Sequence, residues 1–152
     1  MRRWSIILAL PLVGAAQPVP TGPFAIRCTG TAEFRNKISG ERTTRRSELP
    51  AQIYIMDEGG RHVQRALMPR QEFEEVCGHG TEQDNRDFSP GLIMVRTLSS
   101  DRMCAFTVNR MTGEAEYFSH LDLPGGDYDQ MEWRMTCSPT QIPVFDRSRN
   151  RF

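Results

Sequence analysis

The sequence predicts an all-β domain, a single antiparallel sandwich or a small up-and-down barrel of seven to eight short strands with little helix. Three observations carry this. Apolar and polar residues alternate over several short runs, the period of a strand with one buried face. Glycine-containing turns separate the runs at short spacing. Cys28, Cys104 and Cys137 fall in step with the apolar residues of their runs, as in Phe24-x-Ile26-x-Cys28 and Met131-x-Trp133-x-Met135-x-Cys137.

The elements follow in order. Residues 17–23 are an extended leader, since Pro18, Pro20 and Pro23 exclude a helix. A first strand is expected from Phe24 to Phe34, then a long polar loop over residues 35–50. Ala51–Asp57 alternates and reads as a strand with Ile53 and Ile55 inward. Glu58-Gly59-Gly60-Arg61 is a turn, and His62–Met68 returns as a strand. Pro69–Val76 fits a short helix, with proline in the first turn and Gly78 past the end; it fits a short strand equally well. His79–Ser89 reads as polar loop. Leu92–Leu98, Met103–Asn109, Glu114–His120 and Met131–Cys137 are the remaining strands. Between them Arg110-Met111-Thr112-Gly113 is a turn with Gly113 at the left-handed position. The domain thus spans 24–138, followed by a flexible tail over 139–152 with Pro139, Pro143 and scattered arginines. Phe24, Ile26, Ile53, Ile55, Ile93, Val95, Phe106, Val108, Trp133 and Met135 are the expected core.

Residues 1–16 have the layout of a secretory signal peptide: Arg2 and Arg3, an apolar run from Ser5 to Val13, then Gly14-Ala15-Ala16. The run is well short of the roughly 20 residues of a spanning helix. The expected destination is the periplasm or the medium. The 152-residue chain holds 19 basic and 19 acidic residues. Cleavage after Ala16 leaves 17 basic against 19 acidic, a formal charge of −2. Such a balance gives no strong pull toward nucleic acid.

An even cysteine count in a short exported chain points to disulfides. No pair has the C-x-x-C spacing of a zinc knuckle or redox site. The expected pairs are Cys28–Cys137, joining the first strand to the last, and Cys77–Cys104.

The segments Phe24-Ala25-Ile26-Arg27-Cys28-Thr29-Gly30, Asn109-Arg110-Met111-Thr112-Gly113-Glu114 and Trp133-Arg134-Met135-Thr136-Cys137 resemble a loose group of small exported bacterial proteins. These share an early cysteine strand, an R-x-T-G hairpin and a late cysteine. The resemblance brings no activity, ligand or catalytic residue with it.

Nucleophile elbows, zincin motifs, P-loops and dinucleotide fingerprints are absent from the sequence. Cys77-Gly78-His79 sets a thiol beside an imidazole, but an exported thiol oxidises, which favours the disulfide. His62, His79 and His120 lack metal-ligand spacing. Asp127-Tyr128-Asp129 lacks the further ligands of a calcium loop. Met131 and Met135 read as core rather than as copper ligands. Arg42, Arg45 and Arg46, flanked by Glu41 and Glu48, read as a solvated loop. No cofactor, metal or catalytic residue is therefore expected. The leading expectation is a non-catalytic module that contacts the envelope or another exported protein. The alternative is a small β-barrel that binds an apolar ligand.

Overall fold

Ser39 and Gly40 both take positive φ, at 53° and 88°. This is the backbone of a two-residue hairpin turn whose twist matches the strands it joins. It lets β1 (Phe24–Ile38) run straight back as β2 (Glu41–Asp57). The expected polar loop over 35–50 is therefore strand. This half of the hairpin carries exposed polar residues, so no apolar alternation marked it. What holds it is cross-strand pairing, from Ile38 opposite Glu41 to Thr31 opposite Glu48.

The computed structural model describes residues 22–68, 70–78 and 83–145. The expected signal peptide, most of the leader, His79 and the last seven residues lie outside this range. Seven further strands follow the first hairpin: β3 (His62–Leu67), β4 (Glu72–Glu75), β5 (Gln83–Phe88), β6 (Leu92–Leu98), β7 (Arg102–Asn109), β8 (Glu114–Leu123) and β9 (Asp127–Thr140). A single 3-10 turn, Pro124–Gly126, links β8 to β9. Three sequence expectations change. The segment open between helix and strand contains a strand, β4. The expected loop over 79–89 contains β5, an edge strand of acid and amide residues. The last strand starts at Asp127 and continues through Pro139 to Thr140, past the boundary expected at 138. Beyond it, Phe145 packs on Phe73 with ring centroids 4.5 Å apart.

All nine strands join one antiparallel sheet in the order β4-β3-β2-β1-β9-β8-β7-β6-β5. Each strand pairs with its sequence neighbour except at β4 and β5, and β1 pairs with β9. This is an up-and-down meander that has curled and joined its first strand to its last. The opening lies between β4 and β5. Side chains span it in place of a backbone ladder. Arg86 on β5 donates to Glu75 Oε1 at 2.9 Å, the Gly78 carbonyl at 3.0 Å and the Arg61 carbonyl at 3.0 Å. The disulfide Cys77–Cys104 ties the end of β4 across to β7, and Thr97 Oγ1 donates to the Cys77 carbonyl at 3.0 Å. The second disulfide, Cys28–Cys137, joins directly opposed residues of β1 and β9.

A β-bulge decides which side chains enter the core. The β1–β2 register shifts between Cys28 and Gly30, which puts Pro50 and Ala51 on the longer side. Proline suits a bulge because it has no N–H to give a ladder. Before the bulge the odd residues of β2 face inward; after it the even ones do. Tyr54 and Met56, both fully buried, thus enter the core, in place of the expected Ile53 and Ile55. Ile55 is buried on the outer face beside Ala25, and Ile53 is half-buried there opposite Ala66. The core also includes Ile26, Val63, Ile93, Val95, Phe106, Val108, Trp133 and Met135. Tyr54 and Phe106 stack at 4.7 Å, and the Tyr54 hydroxyl donates to Met135 Sδ at 3.7 Å. Arg110 closes this end of the curl: it donates to Glu58 Oε1 at 2.6 Å and lies over the Phe24 ring at 5.3 Å.

Candidate binding groove

The core fills only one end of the concave face. Registers place the inward residues of the other end in cross-strand rows. The row next to the core is Ser47, Ala32, Trp133, Tyr117 and Phe106. The next is Arg45, Phe34, Met131, Ser119 and Cys104. The outermost is Thr43, Asn36, Asp129, Leu121 and Arg102. Together with Arg65 and Glu74 from the β3–β4 side, these rows, except the core residues Ala32 and Phe106, line a groove of about 1010 Å³. Its volume is at the upper end of the roughly 300–1,000 Å³ of small-molecule sites.

The floor is apolar and aromatic. Tyr117 and Trp133 stack with centroids 4.7 Å apart. The Arg65 guanidinium lies 5.3 Å from the Trp133 ring centroid and pairs with Glu74. Burial raises the Tyr54 hydroxyl well above the ordinary phenol value, so Tyr54 is neutral. Trp133 Nε1 is buried and, among the described residues, has no hydrogen-bond partner. Met131 is half-buried, and Phe34 is 39% exposed.

The walls carry charge of both signs. Arg45, Arg65 and Arg102 face the groove, with Glu74, Glu75 and Asp129. Glu75 is bound by Arg86, and Glu74 by Arg65. Arg35 and Arg46 are both held by Glu33, which stands on the opposite face of β1. The side chains of Arg45 and Arg102 make no hydrogen bond or ion pair with any described residue, and both residues are exposed.

The hairpin tips that bound the groove's open end are tied together. Ser39 N–H donates to Asp127 Oδ2 at 2.8 Å, and Lys37 Nζ to the Gly126 carbonyl at 3.0 Å. Asp127 is thereby a turn clamp. Of the other residues singled out by sequence, Cys77 and His120 also border the groove, and His62 does not. His62 faces Glu75, and His120 faces Asp122 and stacks on Tyr128. Cys77 is disulfide-bonded. The arginine cluster splits: Arg45 faces the groove, and Arg46 turns to Glu33. Among the described residues no three His, Cys, Asp or Glu side chains stand close enough to hold a metal ion, and no helix is long and apolar enough to cross a membrane. Among the groove residues that the sequence did not single out are Phe34, Tyr117, Leu121, Arg65 and Arg102. Only the strand registers bring them together. No family model, curated protein or solved structure matches the chain.

Proposed function

We propose that this chain is an exported, non-catalytic binding domain, and that it holds a small ligand in the concave groove. One observation carries the reading. The curled sheet packs its core at one end only and leaves an aromatic-floored groove of about 1010 Å³ at the other. Of the two expectations, a flat contact with the envelope or another exported protein has no use for this concavity. A ligand with an apolar body does, because burial against Phe34, Met131 and Trp133 supplies about 25 cal/mol per Å² of apolar surface. The two disulfides are in keeping with an oxidising compartment.

Native mass spectrometry on protein isolated from the export compartment tests this. The expected result is a stoichiometric small-molecule adduct that is lost in Met131→Arg, where the new side chain blocks the groove. An adduct unaffected by that substitution would place binding elsewhere. Turnover of ester, glycoside or peptide substrates would overturn the non-catalytic assignment.

A further inference from the structure

From the charge on the groove walls we infer that the ligand is an amphipathic anion, a single apolar chain with a carboxylate-type headgroup. This rests on the groove being the binding surface and adds the chemistry of what it takes. The chain as a whole is electrically balanced, yet the uncommitted charge of the groove is not. Arg65 is committed to Glu74, and Glu75 to Arg86, which leaves the Arg45 and Arg102 side chains, without a partner among the described residues, against Asp129.

Their placement matches an amphiphile. The deep row offers Trp133 and Tyr117, and the middle row Phe34 and Met131, with Leu121 in the outer row. Arg45 stands at the β2 end of the middle row, and Arg102 at the β7 end of the outer row. An apolar chain laid on the floor toward Trp133 brings its head to the open end, between these two walls. Guanidinium groups bind carboxylates and phosphates through paired N–H donors, and beside an apolar floor such contacts are less screened than on an open surface. Asp129 stands in the outer row and repels a second negative charge there, which favours a headgroup of single charge over a polyanion.

The test compares three ten-carbon amphiphiles below their aggregation concentrations: decanoate, decyl maltoside and decyltrimethylammonium. Binding is read from tryptophan emission of the chain cleaved after Ala16, in which Trp133 is the single tryptophan. Decanoate is expected to bind saturably and at least tenfold more tightly than the cation. Replacing both Arg45 and Arg102 with glutamine is expected to weaken decanoate roughly tenfold and leave decyl maltoside unchanged. Both residues are exposed, so the double variant retains the fold. Equal affinity for anion and cation, or an unaffected double variant, overturns the anion inference while the groove reading stands. Failure of all three amphiphiles to bind overturns both.

Discussion

Gly30 sits at the bulge of the first hairpin and packs against the backbone of β9. A Cβ placed there would fall on the Arg134 carbonyl oxygen, which is backbone and cannot swing aside. Gly30→Ala must therefore push β1 from β9. The expected loss is about 1–3 kcal/mol, as for overpacking in a core, read from urea unfolding. Gly113 is held for a different reason: its φ of 75° and the hydrogen bond from Cys137 N–H to its carbonyl fix the β7–β8 turn. On the outer face Arg46, and then Arg35, hold the Glu33 carboxyl below its ordinary value. A carboxylate depressed in the folded state adds stability above its unfolded pKa and loses it as pH falls through the folded one. Glu33→Gln is therefore expected to flatten the acid limb of the stability–pH profile and leave its slope above pH 7 unchanged. A parallel acid limb in the variant would show that the contacts contribute nothing.

At the scale of elements, β7 and the centre of β9 were legible because large apolar residues alternate with polar ones, and β6 because it is a short, mainly apolar run between turns. Those that were missed lack a buried face along part of their length. The outer half of the β1–β2 hairpin is held by ladder and ion pairs, and β5 is an edge whose Arg86 works across the opening. The inward faces of β2 were misread for a different reason. A bulge reverses side-chain parity, and Pro50 alone does not reveal where the reversal falls. The groove was illegible for the same cause, since it is assembled by registers from five strands. The element most dependent on a covalent tie is β4, four residues long at the sheet edge. Replacing Cys77 and Cys104 with alanine removes a cross-link between positions 27 apart in sequence, worth about 3–4 kcal/mol by chain entropy. Hydrogen exchange is expected to rise in β3 and β4 well before β1 and β9, which keep their own disulfide. Uniform loss of protection would mean that the opening is not a separable part of the fold.

For the whole molecule, one architecture accounts for both structure and site. A meander joined through β1 and β9 has one seam, between β4 and β5, and side chains span it. Its core is plugged at the end where Arg110 meets Glu58 and Phe24, which leaves the far end of the concave face to line a groove. Binding at that groove is the central claim, and amide and indole chemical-shift mapping by NMR during a decanoate titration tests it most directly. Saturable shifts are expected for the Trp133 indole N–H and the amides of Phe34, Met131 and Leu121, with Glu33, Glu132 and Arg134 on the outer face unmoved. Shifts confined to the outer face, or none at the Trp133 indole, would contradict it.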